Sequence, residues 1–248
     1  MGCGAEQKVI LPKEDIVIPQ VRTLKQTNQF DPNSSHHEHS ISSSSTSEES
    51  PNFLLLQAID DDDLAFIQKN YENFDTDIIT PLIYTIEQNK PQYAKYFLNN
   101  LNAKFDRQTA LVAAIQNGHL ELIKDLKVEA KRKIQGGNTA LMIAAKMGLS
   151  ECLHDLLPGI KYQNDQLQTA LMLAAGSGKS NCISILKDEI SMKDCQGRTA
   201  LMYAVENQNV EIIKMLLKEK KIRDCQGRTP LEIAREVCCP DELIKLLV

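Results

Sequence analysis

The run Gly176–Ser180 has the residue types of a phosphate-binding loop, with two glycines followed by Lys179 and a serine. In such a loop the glycine backbone N–H groups surround a phosphate, and the lysine reaches it. The loop also needs an earlier glycine, where this chain has Leu173, and it must lie between a strand and a helix. We therefore keep a nucleotide-binding enzyme that uses Lys179 as the least favoured hypothesis.

The N-terminal Met1-Gly2-Cys3 has residues that accept lipids. After removal of Met1, Gly2 can take a myristoyl chain and Cys3 a palmitoyl chain, and two chains give stable membrane attachment. The acylation motif prefers Ser or Thr where this chain has Glu6. The sequence therefore leaves two alternatives open: dual acylation, with peripheral attachment to the cytoplasmic face of a membrane, and an unmodified cytosolic start.

A serine-rich acidic run spans residues 42–50, and Ser45 and Thr46 are our candidate phosphorylation sites within it. A linker that nothing modifies is an equally good interpretation. The histidine cluster at 36–39 lacks the fixed geometry and the fourth ligand that a transition metal needs. We predict neither a metal site nor a cofactor.

The sequence offers no nucleophile with a matching base and an orienting acid. Beyond residue 51 the histidines are His119 and His154, and neither belongs to a recognisable catalytic constellation. We therefore expect no catalytic residues and no small-molecule substrate.

Composition narrows the partner classes and the location. The net charge of −5 over 248 residues gives no general electrostatic reason to bind nucleic acid. Seven cysteines without a secretory signal indicate reduced thiols, so we expect an intracellular, cytoplasmic protein. No apolar run approaches the roughly 20 residues that a membrane-spanning helix needs.

A repeat of about thirty residues organises most of the chain. Thr-Pro-Leu or Thr-Ala-Leu recurs at spacings of 29, 30, 30, 30 and 30 residues, beginning at Thr80, Thr109, Thr139, Thr169, Thr199 and Thr229. A weaker copy in residues 52–73 precedes them by 27 residues, which makes seven units.

Each unit has the apolar pattern of two short helices. Counted from the Thr, a Leu two residues on and a small residue five residues on share one helical face, and apolar residues 14 and 17 on share another. Between these faces, Gly118, Gly148 and Gly178 favour a reversal of the chain. The Thr suits the N-cap of the first helix. The pattern predicts an all-α stack of helical hairpins, none of which can bury its apolar faces alone.

These units resemble the ankyrin repeat over about residues 52–248. The best matches are KDCQGRTAL at 193–201 and RDCQGRTPL at 223–231. The period is 30 where the family has 33, so the loops should be tighter. Methionine replaces the family's His after Thr-Pro-Leu in three units, which removes a polar tie between units, so stability must depend more on packing.

The resemblance implies a concave face, formed by turns and first helices, that binds one or more partner proteins. We expect an ankyrin-repeat domain at 52–248 after a disordered tail at 1–51, acting as a scaffold or adaptor. An inhibitor or regulator of a kinase or other enzyme is the alternative that the sequence leaves open. The predicted contact residues are Arg107, Gln108, Asn138, Met142, Gln168, Met172, Gln196, Arg198, Met202, Gln226 and Arg228.

Overall fold

The computed structural model describes residues 51–71, 81–98 and 109–248. Within these residues the chain forms fourteen α-helices in seven antiparallel pairs. The pairs are α1 (Pro51–Asp60) and α2 (Leu64–Asn70); α3 (Pro81–Glu87) and α4 (Pro91–Phe97); α5 (Ala110–Asn117) and α6 (Ile123–Leu126); α7 (Ala140–Met147) and α8 (Ser150–Leu156); α9 (Ala170–Gly176) and α10 (Ser180–Ile183); α11 (Ala200–Glu206) and α12 (Val210–Leu216); α13 (Pro230–Glu236) and α14 (Asp241–Leu247).

The all-α class and the seven units are as the repeat predicts. We number the units in chain order, so that the third to seventh begin at Thr109, Thr139, Thr169, Thr199 and Thr229. No strand occurs in the described residues, where the one β feature is an isolated bridge between Lys133 and Thr139. Several predicted positions lie outside these residues, namely Gly2, Cys3, the histidines at 36–39, Ser45, Thr46, Arg107 and Gln108. The division at residue 51 stays a prediction.

The predicted apolar positions form one continuous core. The small residue five positions after the Thr is fully buried in every unit that has it, from Thr85 to Ala234. The same holds for the residue 14 positions on, from Ala94 to Leu243. Each pair therefore contributes two apolar faces, and these are buried by stacking against the neighbouring pairs.

Of the five repeat threonines that the structure describes, four cap the first helix as predicted, while Thr80 lies outside the described residues. The hydroxyls of Thr109, Thr139, Thr169 and Thr229 accept a hydrogen bond from a backbone N–H in the first helical turn. The prediction is wrong for Thr199, whose buried Oγ1 has no hydrogen-bond partner in the described part of the chain.

A left-handed residue reverses the chain between the two helices of every pair. Gly118, Gly148 and Gly178 have φ values of 80°, 84° and 70° at this position. The other pairs use a residue with a side chain in the same conformation, such as Asn89 at 58° and Gln208 at 53°. The three glycines are therefore the easily recognised members of a feature that all seven pairs share.

Candidate functional site

Three of the polar turns between units are each organised by one buried side chain. Asp194 Oδ1 accepts hydrogen bonds from the backbone N–H groups of Gln196 and Arg198, both at 2.8 Å. Asn164 and Asp224 make the same pair of bonds in their own turns. Because one oxygen accepts two backbone N–H groups, the turn holds a single shape without help from a strand.

Backbone hydrogen bonds join these turns into a ladder. The carbonyl oxygens of Gly136, Gln166 and Gln196 accept from the N–H of the residue 29 positions on, at 3.1, 3.0 and 2.9 Å. The donors are Asp165, Cys195 and Cys225. Four successive turns thus lie side by side in a fixed register.

Tyr203 connects the ladder of turns to the first helices. Its hydroxyl donates to Asp194 Oδ2 at 2.7 Å and accepts from the Arg198 guanidinium at 2.6 Å and from the Gln168 amide at 2.9 Å. The guanidinium also lies 4.4 Å from the centre of the Tyr203 ring. Burial is the main reason that the pKa of Tyr203 is raised to about 12. The phenol stays protonated and can donate to Asp194 at any physiological pH.

The next turn holds its arginine through two carboxylates. Arg228 is within 2.9 Å of Asp224 Oδ2 and donates to Glu236 at 2.7 Å. Burial tends to raise the pKa of Asp224, but hydrogen bonds from Arg228 and Gln226 outweigh it and lower that pKa. The turn therefore holds a half-buried guanidinium between two carboxylates.

An apolar strip runs beside the turns, and the sequence analysis missed it. Four residues after the Thr, the fourth, fifth and sixth units carry Ile143, Leu173 and Tyr203, all half-buried on the first helices. The sequence did contain a signal for this strip, because an apolar or aromatic residue recurs every 30 positions at this place in the three units. We define the turn–helix face as this strip together with Asn138, Gln168, Arg198 and Arg228.

The predicted contact residues divide into three groups. Gln196 and Gln226 are exposed in the turns, while Asn138, Gln168, Arg198 and Arg228 are half-buried and hydrogen-bonded within the turn–helix face. The prediction for the methionines is wrong: Met142, Met172 and Met202 are at most 1% exposed and pack in the core. The family's His position faces inward here, which leaves no side-chain surface for a partner.

Buried glutamates are the second feature that the sequence analysis missed. Twenty residues after the Thr, Glu189 accepts from Leu171 N–H at 2.7 Å and from Lys161 N–H of the preceding unit at 2.9 Å. Glu219 likewise accepts from Leu201 and Ser191, at 2.8 and 2.6 Å. Each carboxylate therefore ties the start of its own first helix to the loop of the unit before.

Glu129 occupies the same position in the third unit. It accepts from Leu111 N–H at 2.9 Å and forms an ion pair with Arg132. Burial raises the pKa of both Glu129 and Glu189, although their backbone hydrogen bonds oppose the shift. These carboxylates have a structural role, because each accepts hydrogen bonds from backbone N–H groups within the stack.

Among the described residues, those considered for catalysis or metal binding do not come together. Gly176 ends a helix and Lys179 is the N-cap of the next, so the phosphate-loop sequence is an inter-helix turn with no strand before it in the described chain. His119 is buried, with Nδ1 3.6 Å from a Glu121 oxygen. In residues 51–71, 81–98 and 109–248, no three His, Cys, Asp or Glu side chains are grouped as metal ligands.

Comparison with known families agrees with this architecture. The family described as ankyrin repeats (3 copies) matches residues 55–135, 107–167, 121–196, 141–224 and 185–248. The chain belongs to the ankyrin-repeat family. The seven units are thus ankyrin repeats, a fold used for protein–protein interaction. No curated protein matches the sequence significantly. Among the described helices, none is both long and apolar enough to cross a bilayer.

Proposed function

We propose that this chain is a non-catalytic scaffold or adaptor that binds a segment of a partner protein on the turn–helix face. One observation carries the proposal. The ladder of turns and the Tyr203 network hold polar turn residues beside an apolar strip over three consecutive repeats. A preordered surface with an apolar centre and a polar rim loses little conformational freedom when a partner binds.

The face suits a partner with both apolar and hydrogen-bonding groups. Ile143 and Leu173 offer apolar contact, and Gln196, exposed in the turn beside the face, can both donate and accept hydrogen bonds. Arg198 and Arg228 are each already paired with two carboxylates, so they do not select an acidic partner. An inhibitor or regulator of an enzyme would use the same surface, so the identity of the partner decides between the two roles.

Affinity capture with matched variants tests this proposal. Leu173→Glu adds a charge to the centre of the face, and Ser184→Glu adds one to an exposed position outside it. We expect a partner that is retained by the wild type and by Ser184→Glu, and lost by Leu173→Glu. A partner set that Leu173→Glu leaves unchanged would exclude the face, provided that circular dichroism shows both variants folded.

We further propose that acylation of Gly2 and Cys3 tethers the chain to a membrane. The support is the residue types alone, with Glu6 against them. Labelling with alkynyl myristate and palmitate should mark the wild type, with the myristate label lost in Gly2→Ala and the palmitate label lost in Cys3→Ser. Unlabelled wild-type protein would contradict the tether. Mass spectrometry of the same samples tests phosphorylation at Ser45 and Thr46.

The competing enzyme hypothesis has a direct test at Lys179. We expect no ATP binding at millimolar nucleotide, because the lysine caps a helix after a turn and lies against Gly148 of the preceding repeat. Binding that disappears in Lys179→Ala would overturn the non-catalytic assignment.

A further inference from the structure

One edge of the stack is strongly basic although the whole chain is acidic. It consists of the segments that follow the second helices of four consecutive repeats, at 127–133, 157–163, 187–193 and 217–223. They carry four, one, two and four cations, against four carboxylates. Three of those carboxylates are the buried glutamates that accept backbone N–H groups. We call these four segments the basic edge.

Hydrogen bonds fix the segments of the basic edge next to one another. Lys133 Nζ donates to the Gln163 carbonyl at 2.6 Å, and the Gln163 amide donates to the Lys193 carbonyl at 2.9 Å. Lys193 Nζ in turn donates to the Arg223 carbonyl at 2.9 Å. Lys133, Lys193 and Arg223 are therefore aligned along the stack, and the two lysines donate to neutral carbonyls and not to carboxylates.

The cations that have no acidic partner are all lysines. Arg132 pairs with Glu129 and Arg223 with Glu232, at 3.0 and 3.5 Å. In the described part of the chain, no lysine of the basic edge forms an ion pair. Lysine acts as a hydrated point charge, whereas specific recognition of a carboxylate or phosphate favours the two-pronged guanidinium. A row of lysines therefore suits a diffuse negative surface better than one specific acidic group.

Exposed apolar side chains lie among these lysines. Val128 is 71% exposed between Lys127 and Lys131, and Tyr162 is 36% exposed next to Lys161. Tyrosine and lysine both have an apolar body and a polar tip, which suits them to the region where lipid headgroups meet acyl chains. An acidic peptide would use the charges, but it would not by itself account for an exposed valine among them.

The opposite edge has the opposite balance. The inter-helix turns at 116–122, 146–152, 176–182 and 206–212 hold two Lys and four Glu. The second helix of each pair runs from this turn to the basic edge, so the two edges lie at opposite ends of that helix. An anionic surface would attract one edge and repel the other, and so orient the stack.

We propose that the basic edge docks on the anionic phospholipid headgroups of a membrane. The edge is distinct from the turn–helix face, and its binding does not require acylation of Gly2 or Cys3. Electrostatic attraction supplies most of the affinity, and Val128 and Tyr162 enter the headgroup layer. Docking in this way leaves the turn–helix face available for a partner protein.

Vesicle sedimentation of the unacylated full-length chain, carrying Gly2→Ala, tests the proposal. We expect binding to vesicles with about a third phosphatidylserine, little binding to phosphatidylcholine alone, and loss of binding at high salt. Changing Lys131, Lys161 and Lys221 together to Glu should lower the partition coefficient at least about tenfold. These side chains are exposed and make no hydrogen bond in the described structure, so folding should be preserved, which circular dichroism checks.

A triple variant of equal charge is the control. Lys69, Lys146 and Lys245 are exposed on other elements, and changing them to Glu should leave most vesicle binding intact. Tyr162→Ala should weaken binding by a few fold at fixed charge. Equal loss in both triple variants, or equal binding to the two kinds of vesicle, would overturn the proposal. So would edge-dependent binding of polyglutamate or RNA without vesicle binding. None of these outcomes bears on partner capture by the turn–helix face, which Leu173→Glu tests separately.

Discussion

Successive repeats in this chain are joined in two different ways. At the joints between the fourth and fifth and between the fifth and sixth repeats, Glu189 and Glu219 each accept a backbone N–H from both sides. At the joint between the third and fourth repeats, the equivalent residue is Gly159. A side chain there would begin 2.9 Å from the Ala130 carbonyl oxygen. The same fold thus accepts either a buried carboxylate or close backbone packing.

The fourth repeat differs a second time, at the tip of its turn. Gly137, Gly197 and Gly227 have φ values of 74°, 75° and 79° at the tips of the other turns. The fourth repeat has Leu167 there, with φ 57° and a side chain 46% exposed. A leucine in this conformation is strained and is not compensated by burial. Leu167 shows that a turn tolerates a strained residue when hydrogen bonds to the neighbouring turns fix its position.

Loss of a joining carboxylate should have the largest effect. Glu219→Ala leaves the N–H groups of Leu201 and Ser191 without their acceptor, which should lower the free energy of unfolding by about 3 kcal/mol. Urea denaturation measures this, with Glu211→Ala on the adjacent exposed surface as the control. If the two variants were equally stable, the carboxylate would not be what joins these repeats.

Filling the glycine joint should have the next largest effect. The Cβ of Gly159→Ala would press on the Ala130 carbonyl, and we expect the free energy of unfolding to fall by about 2 kcal/mol. Gly176→Ala is the control, because its nearest neighbour is the Tyr203 ring at an ordinary 3.4 Å. It should be neutral or slightly stabilising. Unchanged thermal stability of Gly159→Ala would mean that this joint is loosely packed.

Relief of strain in the turn of the fourth repeat should have a smaller effect of opposite sign. Leu167→Gly removes the strain of a left-handed leucine, but it also raises the conformational entropy of the unfolded chain. We expect the free energy of unfolding to rise by about 0.5 kcal/mol. Gln166→Gly, one residue earlier, offers no such relief and should not stabilise. A destabilised Leu167→Gly would show that the leucine makes contacts that outweigh its strain.

The smallest effect concerns pH. Because burial raises the pKa of Glu129 and Glu189, the stability linked to their protonation is fully present below the ordinary carboxyl pKa and is lost as pH rises through the raised value. Lowering the pH from about 7 to about 5 should therefore favour the wild type relative to the variant Glu129→Gln with Glu189→Gln. Parallel stability profiles for the two proteins would contradict this.

The sequence predicted the repeats better than the face that they present. Thr-Ala-Leu spacing and apolar periodicity were sufficient for the helix pairs, because those positions must be buried in every repeat. The same reasoning placed Met142, Met172 and Met202 on the binding surface, where they are not. Position within a helix tells which residues share a face, but the packing of the next repeat decides whether that face is covered.

By itself, the sequence determined the number of repeats, their helical hairpins and their core, because these depend on interactions within about thirty residues. Only the tertiary structure decided which polar residues link one repeat to the next by hydrogen bonds. Asp194 and Glu189 look like ordinary surface residues in the sequence, yet both are buried and accept backbone N–H groups. The same stacking placed eleven cations along one edge. The sequence alone does not show that these residues are neighbours, because residues that touch in the stack are about thirty positions apart along the chain.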